Sequence, residues 1–167
     1  MEIIDNYLNQ EDLKNIRDYL ISYNFPWHFL NSKCSETVET ECSDDNNYQF
    51  CHMFYDDNQI NQYVGQYFSL LSPIIKKLNT KSLVRIKSNL SMKSDKLEKY
   101  CYHTDTNFDC KTAIFYLNTN DGFTVFENGS KVESIENRIL IFNSQLKHTG
   151  TTCTDQKFRM VINFNYF

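Results

Sequence analysis

Glycine and proline are scarce, four and two in 167 residues. That excludes collagen-like repeats, Gly/Ser linkers and Pro-rich segments, and no linker divides the chain. At roughly 150 residues per domain the expectation is one compact domain over residues 1–167. Long apolar runs are missing as well. Stretches such as Ile139-Leu140-Ile141-Phe142 fall far short of the ~20 residues that span a bilayer, so no membrane partner is expected. The six cysteines (Cys34, Cys42, Cys51, Cys101, Cys110, Cys153) include no CxxC pair, which removes zinc ribbons and thioredoxin-type sites. Met1 to Asp5 has neither a basic nor an apolar leader region. The expectation is a cytoplasmic chain, without signal peptide or transmembrane segment, whose thiols are free and reduced. An excess of positive charge is also lacking: 17 basic against 21 acidic residues give −4. Such a field repels a phosphate backbone and disfavours nucleic acid as a partner.

What is present suffices for one core, with 41% hydrophobic and 15% aromatic residues. Asn9 can cap a helix over 10–23, with Glu11 and Asp12 in its first turn and Leu13, Ile16, Tyr19, Leu20 and Tyr23 on one face. Phe25-Pro26-Trp27 leads into extended chain, then an acidic loop carrying Glu36, Glu39, Glu41, Asp44 and Asp45. A strand follows over Tyr48 to Tyr55. A second helix is expected from near Asn58, with Ile60, Val64, Tyr67, Phe68 and Leu71 on one face. Ser72-Pro73 interrupts it before Ile74 to Leu78 continues. Beyond Leu83 the pattern turns to short strands: Leu83 to Leu90, Lys99 to His103, Thr112 to Leu117, Phe123 to Glu127, Lys131 to Ser134, Arg138 to Phe142 and Phe158 to Phe167. Asp121-Gly122 and Asn128-Gly129 are turn signals, the second fitting a two-residue hairpin with positive φ at both positions. Thus 1–80 reads as helical support with the first strands, and 83–167 as a mainly β core, a sandwich or jelly roll backed by helices. A run of Lys76, Lys77, Lys81, Arg85, Lys87, Lys93, Lys96 and Lys99 is read chiefly as a solvated face, with a substrate-steering patch as the alternative.

Chemistry concentrates in the second half. His103 and Asp105, two apart in extended chain, leave the same face and can reach one ion. His148-Thr149-Gly150 lies downstream, and eleven residues after His148 comes Arg159. From Phe158 the parity splits cleanly: Phe158, Met160, Ile162, Phe164 and Tyr166 share one face, Arg159, Val161, Asn163 and Asn165 the other. The second set either faces solvent or lines a polar cavity inside a barrel, where an arginine fork can take a carboxylate. Two histidines and one carboxylate with open positions form the ligand set of non-heme Fe(II) oxygenases. His28 reads as a packing residue in a strand, and His52 as a half-buried histidine, with a place at the substrate mouth as its alternative.

His103-Thr104-Asp105, Tyr116-Leu117-Asn118, His148-Thr149-Gly150 and Arg159 together resemble the 2-oxoglutarate- and Fe(II)-dependent dioxygenases, in particular the prolyl 4-hydroxylase-like branch. With Phe25-Pro26-Trp27, the helices and Arg85 to Leu90, most of the chain is similar to small phage-encoded members. The resemblance implies a double-stranded β-helix, a jelly-roll or cupin-like core backed by two or three helices. It implies Fe(II) held by His103, Asp105 and His148, with no catalytic residue beyond these ligands, and O2 and 2-oxoglutarate as co-reactants. It places the distal carboxylate of 2-oxoglutarate on Arg159 and Tyr116, with Asn89 where relatives carry a cosubstrate-contacting tyrosine. Asn118, Asn163, Asn165 and Arg85 follow as supporting or pocket residues. Release of succinate and CO2 would accompany hydroxylation of a protein side chain, amino acid or small molecule, and Asp105 in the triad favours hydroxylation over halogenation. Two further readings remain: a non-catalytic jelly-roll binding protein, and an AlkB-type nucleic-acid demethylase. The prime substrate carries no motif in the loops expected to meet it, Asn31 to Asn47, Ser91 to Glu98 and Thr106 to Cys110.

Overall fold

A computed structural model describes residues 1–33, 47–56 and 65–167. The expected start of the second helix near Asn58, with Ile60 and Val64, and the acidic run from Glu36 to Asp45 lie outside these residues. The strands in chain order are β1 (Glu2–Ile4), β2 (His28–Leu30), β3 (Gln49–Asp56), β4 (Leu83–Met92), β5 (Lys111–Tyr116), β6 (Phe123–Phe126), β7 (Lys131–Glu133), β8 (Ile139–Asn143), β9 (His148–Gly150) and β10 (Phe158–Tyr166). The helices are α1 (Gln10–Leu20), α2 (Gly65–Phe68) and α3 (Ser72–Leu78), with a 3-10 turn at Ser69–Leu71 between the last two. Seven strands form one sheet in the order β1-β8-β5-β10-β4-β3-β2, and three form another, β7-β6-β9. Every strand pairing is antiparallel. The two sheets face one another in the jelly-roll arrangement, with the helices behind the larger sheet. Among the described residues no helix is long and apolar enough to cross a membrane.

The parity split of β10 decides the layering. Met160, Ile162, Phe164 and Tyr166 join Leu13, Ile16 and Leu20 of α1 and Ile74 of α3 in the main core. Burying such side chains is worth about 1.5–3 kcal/mol each, which makes this face the principal stabiliser. The opposite face points between the sheets, where Val161 packs with Ile114, Tyr116, Phe126, Val132, Leu140 and Phe142. Asn165 is fully buried there and Arg159 nearly so. Of the two alternatives for this face, the enclosed polar cavity is the one present.

Helix α1 begins at the expected cap, the Asn9 side chain accepting from Asp12 N–H at 2.8 Å. It ends at Leu20, earlier than expected, because Ile21 closes it and Tyr23 stands in solvent. The expected interruption at Ser72-Pro73 is present, Pro73 lying in the first turn of the new helix α3, and Asn79 at φ 52 stops it. The hairpin after β6 differs from expectation: only Gly129 has positive φ, 84°, and Asn128 does not. Asn128 Oδ1 instead accepts from Ser130 N and Oγ, which makes a four-residue turn. Lys99 to His103 is no strand. Its backbone touches the neighbouring chain only at isolated bridges, Lys99 to Thr151 and His103 to His148. Strand β9, absent from the expected set, is His-Thr-Gly and has no alternation that could announce it.

Candidate metal centre

His103 and His148 exchange both backbone hydrogen bonds at 3.0 Å, and this single bridge sets their rings 4.8 Å apart between centroids. Asp105 N–H bonds Ser144 O at 3.1 Å, which turns its carboxylate to the same spot. The three ligand atoms lie within 4.8 Å of one another. His148 and Asp105 are buried, their side chains 3% and 1% exposed, while His103 stands at the mouth.

Both imidazoles are oriented before any ion arrives. His148 Nδ1 lies 2.9 Å from Leu146 O, and His103 Nδ1 3.3 Å from Cys101 O. A carbonyl only accepts, so each Nδ1 carries the proton and each Nε2 keeps its lone pair for a metal. His148 Nε2 is buried with no hydrogen-bond partner, which a divalent ion would supply. Desolvation, then the neighbouring His148, hold the His103 imidazole below its ordinary pKa. Both are neutral-ring effects that suit a ligand.

Asp105 closes a ring of four side chains. Arg85 Nη2 donates to its Oδ1 at 3.1 Å, and Thr112 Oγ1 donates to its Oδ2 at 2.6 Å. Asn165 Nδ2 donates to Thr112 Oγ1 at 2.9 Å, and Arg85 Nε returns to Asn165 Oδ1 at 3.1 Å. Burial alone would raise the Asp105 pKa, but His148, the Thr112 hydrogen bond and Arg85 together bring it below the usual carboxylate value. The group is thus a fixed anion.

The centre opens into a cavity of about 250 Å³ between the sheets. At its far wall lies Arg159, 6% exposed, which makes no ion pair among the described residues. Its Nε donates to Ser134 Oγ at 2.8 Å and its Nη2 to Thr124 Oγ1 at 3.1 Å. Burial lowers its pKa, with Tyr116 pulling the other way. Thr124 Oγ1 also accepts from Tyr116 OH at 2.8 Å, so its own proton is left to be donated, and Thr124 lines the cavity. A Cβ on Gly150 would sit 3.1 Å from Arg159 Nη1; glycine there lets the guanidinium lie against the β9 backbone.

Of the residues singled out in the sequence, His103, Asp105, His148, Arg159, Asn89, Asn163 and Arg85 all line this cavity. Asn165 reaches Asp105 through Thr112. Tyr116 lies behind the wall, its hydroxyl on Thr124 and its ring 5.7 Å from the Arg159 guanidinium carbon. Asn118 lies outside: it donates to Phe158 O and accepts from Met160 N, tying the chain after β5 to β10. Thr112, Thr124 and Ser134 were not singled out, being single residues of ordinary strands with no pattern to mark them. Arg85 and Lys87 also correct the reading of the Lys-rich run as a solvated face, since β4 is an interior strand of the sheet and turns them inward. His52 faces away from the cavity, packed among Phe25, Phe54 and Tyr67. His28 is exposed on β2, its ring stacked on His52. Cys51, Cys110 and Cys153 are free thiols as expected, whereas Cys101 is disulfide-bonded, against expectation.

No family model matches the chain, and no curated protein matches it by sequence. Solved structures do. A prolyl hydroxylase from Trichoplax adhaerens, in complex with a hypoxia-inducible-factor oxygen-degradation-domain peptide, matches with TM-score 0.60 and 17% identity, over 99% of this chain and 82% of that one. A viral collagen prolyl hydroxylase from Paramecium bursaria Chlorella virus-1, in complex with 2-oxoglutarate, matches with TM-score 0.61 and 14% identity, over 98% and 93%. An oxidoreductase of the 2-oxoglutarate-Fe(II) oxygenase family from Burkholderia pseudomallei matches with TM-score 0.64 and 11% identity, over 98% and 83%. The chain therefore has the double-stranded β-helix fold of prolyl 4-hydroxylase-like oxygenases. The viral match is to a Chlorella virus protein, not a phage one.

Proposed function

We propose that residues 1–167 form one Fe(II)- and 2-oxoglutarate-dependent dioxygenase domain that hydroxylates a C–H bond. The observation that carries this reading is Arg159. A buried guanidinium without a carboxylate partner is costly, and this one stands across a cavity from two imidazoles and an aspartate whose donor atoms suit Fe(II). A dicarboxylate that chelates the ion at one end and meets Arg159 at the other satisfies both. A jelly roll that only bound metal would have no use for that cation.

When bound, the iron and cosubstrate supply oxygen activation coupled to conversion of 2-oxoglutarate into succinate and CO2. The chain supplies position. His103, Asp105 and His148 hold the ion with their tautomers and charge preset. Arg159 and the Thr124 hydroxyl receive the distal carboxylate, and Tyr116 keeps Thr124 turned as a donor. Because Asp105 occupies its ligand position, none is vacated for halide, which favours hydroxylation over halogenation.

Anaerobic titration with Fe(II) and 2-oxoglutarate, followed by the visible charge-transfer band and then by succinate on admitting oxygen, tests this. Wild type forms the band; His103→Ala and Asp105→Ala lose it. Arg159→Ala weakens 2-oxoglutarate binding by ~1.5–3 kcal/mol, the scale of a charge-assisted hydrogen bond. Unchanged cosubstrate affinity in Arg159→Ala would sink the reading.

A further inference from the structure

Lys87 and Asn163 stand directly opposite one another on β4 and β10, one inward position along from the Arg85 and Asn165 pair that holds Asp105. Both line the cavity, and neither is satisfied. Lys87 makes no hydrogen bond or ion pair among the described residues, and Asn163 Oδ1 is buried without a partner. Burial lowers the Lys87 pKa, with Cys51 and Asp105 opposing that and Arg85 adding to it. The ammonium of this half-buried side chain gives up part of its hydration and gains no protein partner in exchange.

The surroundings have the sign to match. Among the described residues, Asp105 is the one acidic residue lining the cavity, against Arg85, Lys87 and Arg159, in a chain whose net charge is −4. Asp105 is already engaged by Arg85 and by its place in the triad. A divalent ion and the two carboxylates of 2-oxoglutarate cancel each other, so the cationic excess persists once both are in place. Lys33 donates to Ser91 Oγ at 2.7 Å and lies over the Tyr100 ring, at the entrance.

We propose that Lys87 and Asn163 are the prime-substrate subsite, and that the substrate is a small free acid with a hydrogen-bond donor beside its carboxylate, an α-amino or α-hydroxy acid. The inference rests on the dioxygenase reading. Lys87 takes the carboxylate, and Asn163 Oδ1 accepts from the neighbouring ammonium or hydroxyl. The backbone beside a residue inside a polypeptide offers only neutral amides, with no α-carboxylate to pair with the ammonium. The volume of about 250 Å³, shared with 2-oxoglutarate, also favours a small substrate.

The test uses the full chain loaded with Mn(II) and 2-oxoglutarate without oxygen. Free L-α-amino acids and α-hydroxy acids are each compared with their carboxamides by paramagnetic broadening of ligand proton resonances. At least one acid is expected to bind beside the metal about tenfold or more tightly than its amide, the effect of one charge-assisted contact. Lys87→Met should abolish that preference and Lys87→Arg restore most of it. The 2-oxoglutarate affinity of Lys87→Met, read separately from the Fe(II) charge-transfer band, should stay within about twofold of wild type, which also reports that the variant is folded. The inference fails if no acid is preferred to its amide, if Lys87→Met keeps the preference, or if Lys87→Met weakens 2-oxoglutarate itself, which would give Lys87 to the cosubstrate. Absence of the band in wild type would instead remove the underlying dioxygenase reading.

Discussion

A carboxylate with two oxygens can meet a metal in several ways, and the neighbours of Asp105 limit the choice. Arg85 occupies Oδ1 and Thr112 steadies Oδ2, the oxygen 3.8 Å from His148 Nε2. Outer partners of this kind typically govern affinity by 10–100-fold. Thr112→Val keeps the shape and removes the hydroxyl, so metal affinity measured by chelator competition should fall by roughly 10–100-fold. Stability should fall by about 1–3 kcal/mol, because Asn165 loses its acceptor while fully buried. An unchanged metal dissociation constant would mean that the ring does not orient Asp105.

Two joints between elements carry stability that no single strand or helix holds. Asn137, between β7 and β8, has φ 64 and is buried. Its Oδ1 accepts from Leu8 N and its Nδ2 donates to Leu8 O, both at 2.8 Å, which fixes the approach to α1. Asn137→Ala loses two buried hydrogen bonds and keeps a left-handed backbone, and should cost about 2–4 kcal/mol in urea unfolding. Asn137→Gly should recover only the backbone share. The second joint is His52 on β3. Burial lowers its pKa, partly offset by its hydrogen bond to Pro26 O. As pH falls below about 6.5 the unfolded chain gains a proton there while the folded chain resists until its own lower pKa. Its contribution is therefore complete above that pH and is lost on acidification. His52→Phe, in a pocket of Phe25, Phe54 and Tyr67, should flatten the pH 5–7 slope of the urea midpoint; an unaltered slope would place the acid sensitivity elsewhere.

At the scale of the molecule, the stabilising core and the site lie on opposite faces of one sheet. The helices bury Met160, Ile162 and Phe164, and the alternate residues are released for chemistry. Because backbone carbonyls and the Asp105 ring orient the centre, EDTA treatment should leave the chain folded by circular dichroism. Mn(II) with 2-oxoglutarate at 100 times the dissociation constant should stabilise it by about 2.7 kcal/mol. For a chain of this size that is a rise in Tm of roughly 5–10 °C. Arg159→Ala should lose most of the 2-oxoglutarate part of that rise.

The strict alternation of β10 was enough, read as sequence, to separate a core face from a second face carrying Arg159, and His103 and Asp105 were legible as a same-side pair. Helix α1 announced itself by its cap and its three- and four-residue spacing. Other features depend on partners remote in the chain. Alternation cannot say whether the second face meets water or a cavity, because that depends on the β6, β7 and β9 sheet lying over it. His148 reaches His103 through one backbone bridge with no pattern of its own, and Arg85 and Lys87 read as surface charge until β10 and β3 flank their strand. Local periodicity follows from backbone geometry and is written in neighbouring residues. Which charges converge on one point is set by strand order, and strand order is a property of the folded chain alone.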